Sequence, residues 1–221
     1  MERAKKEARL LLAGLAGALL NFGAMLLFQN VLCIPLFMDT MFTVAFTFLG
    51  GLPWGLAVAV FTHLLANPLL SIGLPLYFYI LCNVLTAVIT AVFMRLFPLE
   101  CSVAVPARRR IFERVAILFV LSLAMCVAVS LLGGLIGTVI GTFFTLRDNY
   151  DAETFIFRRM LERKGLPLFA AEVLCRIPVN IIDRLVSVFG AYGFAAALTA
   201  ISRRLFIRSE GSRLFILKNR I

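Results

Sequence analysis

The sequence predicts an all-α integral membrane protein with six transmembrane helices and both termini in the cytoplasm. Of its 221 residues, 62% are hydrophobic and only 15% are charged, and the mean hydropathy is +0.98. A soluble domain of this size needs more polar surface than this to cover its core. Long apolar runs fill most of the chain, and basic residues gather in patches beside them.

The apolar runs divide into six candidate spans within a single transmembrane domain. A helix needs roughly 20 residues to cross about 30 Å of hydrocarbon. The basic start of the chain resembles a signal peptide, but no small-residue cleavage site follows, so we interpret the first run as a retained helix. The expected spans are residues 10–33, 36–51, 53–70, 74–97, 115–146 and 179–201.

Two spans have unusual lengths. The second is short and ends at the break Gly50-Gly51-Leu52-Pro53, so spans two and three either cross fully or form a re-entrant hairpin. The fifth is too long for one upright crossing and too short for two. A tilt, or a break at Gly133-Gly134, would accommodate it.

Charge sets the expected orientation. Basic patches precede span one and follow spans four and six, and the excess of Lys and Arg in cytoplasmic loops places all three inside. The loop 147–178 is then external, and within it AETFIFRRMLERKG predicts a short amphipathic surface helix. Topology and anionic lipid also explain the net charge of +10, so we expect no nucleic-acid partner.

Polar side chains from several spans fall at the same predicted depth, in the outer half of the membrane. An ionised group that faces lipid costs several kcal/mol, so such groups normally face an interior or a water-filled cavity. We therefore predict a substrate pocket open to the outside. Its expected binding residues are Asp39, Thr43, Tyr79, Asn83, Asn180, Asp183 and Arg184.

Simpler explanations exist for individual members of this group. Asp39 and Asp183 could cap helix N-termini, where a carboxylate meets free N–H groups and the positive end of the helix dipole. His63 lies at the same depth, and a lone histidine is more often a structural residue than a ligand.

Small residues recur at helical spacing in two spans. Such faces let membrane helices approach closely. In span one the face lies near the cytoplasmic end, where a partner subunit could dock, whereas internal packing explains span five. These residues are Ala13, Gly14, Gly17 and Ala18 in span one, and Gly133, Gly137 and Gly141 in span five.

Motifs for several chemistries are missing from the sequence. It contains no phosphate-binding loop, no HExxH and no GxSxG. A single histidine and five scattered cysteines favour neither a metal site nor a disulfide framework. We therefore expect a protein that is not an enzyme and holds no metal or cofactor.

The segment PLFMDTMFTVAFTFLGGLPWGLAVAVFTHLL resembles the second and third helices of substrate-binding S components of energy-coupling factor (ECF) vitamin transporters. NIIDRLVSVFGAYGF resembles the last helix of that family. The usual Gly-Pro turn is altered here, and the long charged loop before span six is a departure. The resemblance implies a vitamin-like substrate, a transmembrane coupling T subunit and two ATPase subunits. It also implies that the small face of span one contacts the T subunit.

Other functions remain open from sequence. A membrane sensor module would signal through a partner, and a stand-alone secondary carrier or channel would work without ATPases. We expect the cytoplasmic membrane of a bacterium or archaeon as the location. Aromatic residues at the mouth of span four, including Tyr79, favour a planar heterocyclic ligand.

Overall fold

The computed structural model describes residues 2–34, 36–70, 73–99, 107–144 and 152–206, and every regular element in these ranges is helical. A π-helical turn, Leu27–Val31, extends α1, and a 3₁₀ helix, Leu74–Tyr79, precedes α4. The α-helices are α1 (Glu2–Leu26), α2 (Met41–Gly50), α3 (Leu52–Leu69), α4 (Ile80–Leu96), α5 (Ala107–Phe143), α6 (Ala152–Arg163) and α7 (Leu168–Phe206).

Five helical segments of the described ranges are long and apolar enough to cross a membrane, which confirms the predicted all-helical membrane architecture. Only the second predicted span falls short. Its helix, α2, has ten residues and a length of about 15 Å, or half of the hydrocarbon thickness. The five segments are Glu7–Val31, Leu52–Leu69, Leu74–Leu96, Arg108–Phe143 and Leu168–Ser202.

The short helix α2 lies at the centre of the bundle and contacts α1, α3, α4 and α7. Its side chains are apolar or small on nearly every face, which is typical of a helix surrounded by others. Thr43, Val44 and Ala45 are fully buried. Gly51 follows with a φ of +76°, a conformation that glycine adopts without steric cost, and the chain turns there into α3.

A non-helical segment, called here the extended segment, comprises residues 32–34 and 36–40 and connects α1 to α2. Its backbone is irregular, with a φ of +53° at Cys33 and +49° at Met38. The backbone N–H of Phe42, at the start of α2, contacts Asn21 of α1 at 2.8 Å. The π-helical turn that extends α1 ends at Val31, ten residues beyond Asn21. These ten residues correspond to about 15 Å along the helix axis. The extended segment therefore covers one half of the second predicted span, and α2 covers the other half.

The last two predicted spans need correction. α5 is one continuous helix of 37 residues with no break at Gly133-Gly134. α7 begins at Leu168, so residues 168–178 of the predicted loop are helical, with Pro178 inside the helix. An interior proline removes a backbone hydrogen bond, but the packing of α7 against α5 and α6 holds the helix together. Residues 145–151, in the predicted loop, and the basic tail 207–221 lie outside the described residues.

The small-residue face of α1 is packed against α3. Ala13, Gly14, Gly17 and Ala18 are all buried within the chain. A Cβ on Gly14 would lie 2.5 Å from the ring of Phe61, and one on Gly17 would overlap the Val58 side chain. The expectation that this face contacts a partner subunit is wrong, because α3 already occupies it.

Candidate ligand-binding cavity

A cavity of about 160 Å³ lies at the end of the bundle where α1 and α3 finish and α4 begins. It is bounded by the extended segment, by α1, α3, α4 and α5, and by the N-terminal half of α7. Its apolar walls include Met25, Phe37 and Leu76. Its polar lining comprises Asp39, Thr62, His63, Asn67, Tyr79, Arg176, Asn180 and Arg184.

The carboxylate of Asp39 faces this cavity from the extended segment, just before α2. Its Oδ2 is 3.6 Å from Nε2 of His63, and its Oδ1 is 3.8 Å from Nη2 of Arg184. Both distances exceed the 2.7–2.9 Å that is usual for a charge-assisted N–H···O bond. The backbone carbonyl of Asp39 accepts a hydrogen bond from Nδ2 of Asn83 at 3.0 Å, which fixes the position of the residue.

Asp183 and Arg184 hold the extended segment against α7. The fully buried Asp183 accepts the backbone N–H of Met38 at 2.9 Å and lies 2.7 Å from Nη2 of Arg184. Arg184 also donates to Oγ1 of Thr40. The capping alternative is therefore wrong for Asp183, which lies deep inside α7. It is also wrong for Asp39, because no side-chain cap bonds the start of α2.

Asn21 supplies the missing cap from a different helix. Its Oδ1 accepts the backbone N–H of Phe42, and its Nδ2 donates to Oγ1 of Thr43 at 3.2 Å and of Thr62 at 3.0 Å. One buried amide thus joins α1, α2 and α3 below the cavity. Sequence reasoning missed this residue, although an asparagine alone in the middle of an apolar run was a usable signal.

A second buried ionic cluster lies where α6, α7 and the 3₁₀ helix meet. Glu172 accepts Nη1 of Arg158 at 2.7 Å and Nη2 of Arg176 at 3.1 Å. The same Arg176 nitrogen donates to the Tyr79 hydroxyl at 3.0 Å. Gly137 of α5 makes room for the cluster, since a Cβ there would lie 2.6 Å from Oε2 of Glu172. Sequence reasoning missed this cluster because it assigned residues 172 and 176 to a loop.

The structure brings part of the predicted site together. Asp39, Tyr79, Asn180 and Arg184 line the cavity. The other three predicted residues brace its walls: Thr43 bonds Asn21, Asn83 bonds the Asp39 carbonyl, and Asp183 bonds Met38. Sequence reasoning placed His63 and Asn67 at the same depth as the site without naming them as binding residues, and it missed Arg176.

Several residues that line this cavity have a buried polar atom with no hydrogen-bond partner among the described residues. They include Asp39 (Oδ1), His63 (Nε2), Asn67 (Nδ2) and Arg184 (Nε). An unmade buried hydrogen bond costs about 1–3 kcal/mol, so several such atoms around one cavity indicate a binding place for a polar ligand. In the described part of the chain, no three His, Cys, Asp or Glu side chains cluster as metal ligands.

Comparison with known proteins gives no match: no family model, no curated protein and no solved structure matches this chain.

Proposed function

We propose that this chain is the substrate-capturing subunit of an ECF-type importer and binds a vitamin-like small molecule in the cavity. The observation that carries the proposal is the cavity itself, with unpartnered polar atoms on the segment before α2 (Asp39), on α3 (His63 and Asn67) and on α7 (Arg184). Ligand sites are typically concave and mostly apolar, with a few convergent polar groups. The sequence resemblance to S components supplies the transport role.

The orientation follows from the charges of the bundle. The cavity residue Tyr79 ends the 3₁₀ helix and Cys82 lies in the first turn of α4. Arg95 lies in the last turn of α4, about 20–25 Å away along the helix. Arg108 and Arg109 begin α5 at that same end. The positive-inside rule places this end in the cytoplasm, so the cavity opens outward.

Six crossings with both termini inside fit this orientation. The second crossing consists of the extended segment 32–40 in the outer half and α2 in the inner half. Irregular backbone at membrane depth is tolerated only where protein or a water-filled cavity surrounds it. Here the Met38 N–H donates to Asp183, and the Asp39 carbonyl accepts from Asn83. These two backbone groups of the segment therefore have hydrogen-bond partners inside the bundle.

The partners are then a transmembrane T subunit and two ATPases, and the location is a bacterial or archaeal cytoplasmic membrane. Because α3 covers the small face of α1, the T subunit docks elsewhere. A second candidate, a membrane sensor, would also use an outward cavity but would not move its ligand. A stand-alone carrier would move it without ATPases.

Native mass spectrometry of the gently purified protein tests ligand capture, and uptake into vesicles tests transport. We expect a bound small molecule, and uptake of that molecule only when the T subunit and ATPases are co-expressed and ATP is present. A preparation with an empty cavity that binds nothing from cell extract would contradict capture. Uptake without the ATPases would identify a carrier, and binding without uptake would identify a sensor.

Asp39→Asn provides the matched control for both measurements. It keeps the size of the side chain and removes the charge that faces the cavity. We expect the variant to fold, to retain less bound molecule and to support less uptake. A variant that captures and transports like the wild type would show that the transported molecule binds elsewhere.

A further inference from the structure

The two arginines that line the cavity are already paired with carboxylates. Arg184 lies 2.7 Å from Oδ2 of Asp183 and donates to Thr40. Arg176 lies 3.1 Å from Oε2 of Glu172. Both guanidinium groups are nearly fully buried, at 3% and 5% side-chain exposure. The positive charges of both arginines are therefore already balanced by carboxylates, which makes the cavity wall a poor binding site for an anion.

The Asp39 carboxylate is different, because no cation meets it at hydrogen-bond distance. Its two nearest charged or chargeable partners, His63 and Arg184, are 3.6 and 3.8 Å away. Arg184 is committed to Asp183 at the shorter distance. Oδ1 of Asp39 is buried with no hydrogen-bond partner among the described residues.

The charges of this region leave one negative charge unbalanced. Beside the cavity, Asp39 and Asp183 share one arginine, Arg184, whose Nη2 is 3.8 Å from Asp39 and 2.7 Å from Asp183. With His63 neutral, these two carboxylates outnumber that arginine by one. An uncompensated charge in a low-dielectric interior is costly, and a bound cation would remove that cost.

A hydrogen-bond donor lies in the same cavity. Asn67 is 4% exposed, and its Nδ2 has no acceptor among the described residues. A ligand that satisfies both groups must offer a donor to Asp39 and an acceptor to Asn67. Phe37 and the ring of Tyr79 line the same space and suit a planar body.

The volume of the cavity matches a small ring. The cavity measures about 160 Å³ and is partly open. An apolar cavity of about 150 Å³ holds benzene. The space therefore fits one ring with a small substituent.

We propose that the cavity selects a single-ring organic cation whose charged nitrogen donates to the Asp39 carboxylate. This inference rests on the proposed function and names the substrate class of the same site. It assigns Asp39 as the specificity-determining residue and Asn67 as the residue that orients the neutral edge of the ring. In the competing case, a protonated His63 neutralises the Asp39 carboxylate. The cavity would then bind cationic and neutral ligands equally well.

Three isosteric probes separate these cases: benzamidinium, neutral benzamide and anionic benzoate. Isothermal titration of each into the detergent-purified full chain measures affinity, with thermal unfolding recorded alongside. We expect benzamidinium to bind at least tenfold more tightly than benzamide, and benzoate to bind more weakly still. In Asp39→Asn the preference for benzamidinium over benzamide should fall to less than threefold, with the unfolding temperature within a few degrees of the wild type.

A second variant keeps the test decisive. His63→Gln should preserve the preference for benzamidinium, because the charge that selects it belongs to Asp39. Equal binding of benzamide or benzoate by the wild type, or a preference that survives Asp39→Asn, would overturn the cation assignment. It would leave the proposed pocket standing, because a molecule still binds there. Failure of all three probes, together with an empty cavity in native mass spectrometry, would instead overturn the proposed function and this inference with it.

Discussion

The Asp183 carboxylate accepts the backbone N–H of Met38 at 2.9 Å, across 145 positions of the chain. This bond joins α7 to the extended segment that leads into α2. Met38 has a φ of +49°, which is uncommon for a residue other than glycine, and its side chain is almost fully buried. The conformation of the segment is therefore imposed by α7 rather than by local preference.

The two aspartates of the site should separate stability from binding. Asp183→Asn removes the partner of the buried Arg184, so we expect stability to fall by about 3–5 kcal/mol. Asp39→Asn breaks no hydrogen bond of the carboxylate, so stability should change little while benzamidinium affinity falls tenfold or more. Thermal unfolding and titration of both variants check this. Equal losses of stability in both would show that Asp39 is structural.

Asn21 should be the most important single polar residue below the cavity. Asn21→Leu keeps the approximate volume but leaves the Phe42 N–H without its acceptor and two threonine hydroxyls without their donor. We expect a loss of roughly 2–4 kcal/mol in unfolding free energy. The control is Thr142→Val, which removes an exposed hydroxyl bonded only to its own helix, and should change stability by less than about 0.5 kcal/mol. Similar values for the two variants would contradict the role of Asn21.

Two glycines of α1 test how tightly α3 packs against it. Gly17→Ala places a methyl group into Val58, whereas a Cβ on Gly23 would meet no atom within 4 Å. We expect Gly17→Ala to destabilise by about 1–3 kcal/mol. Gly23→Ala should be neutral or stabilise by up to about 1 kcal/mol through helix propensity. Thermal unfolding in detergent measures both, and a stabilised Gly17→Ala protein would contradict the close contact.

The Glu172 cluster should hold α6 against α7. Glu172→Gln removes the charge that Arg158 and Arg176 share, so α6 should detach more often. The Lys164-Gly165 turn, which is already exposed, should then unfold more often into a conformation that trypsin can cleave. We expect cleavage there to accelerate at least fivefold. Glu113→Gln is the control, since its pair with Arg109 is exposed and contributes about 0–1 kcal/mol. Unchanged cleavage in Glu172→Gln would show that apolar contacts alone hold α6.

Much of the fold could be predicted from sequence because hydropathy determines where a membrane helix can exist. The five long segments and the depth of the polar residues follow from it. The interruption before α2 could not be predicted in this way, because residues 36–40 are as compatible with a helix as residues 41–50. Bonds from Asp183 and Asn83, distant in sequence, hold that backbone in its non-helical conformation.

The cavity was predicted less completely than the fold. Periodicity indicates which residues share a helix face. It does not show which of their polar atoms form hydrogen bonds with another part of the chain. Asn83 and Asp183 were expected to contact ligand, yet their hydrogen bonds are used to hold the extended segment. The start of α7 was missed because a proline at position 178 favours a helix boundary, and the contribution of Arg176 was missed with it.

One uninterrupted helix, α7, carries the side chains that clamp α6, line the cavity and fix the extended segment. Glu172, Arg176, Asn180 and Arg184 follow one another at intervals of four residues along it. From Arg184 the same helix continues to Phe206, about 33 Å further. A tilt of roughly 5° about the cavity would displace its far end by about 3 Å. The cavity-lining residues and the far end of the bundle therefore belong to one continuous helix, so a tilt at either end would shift the other.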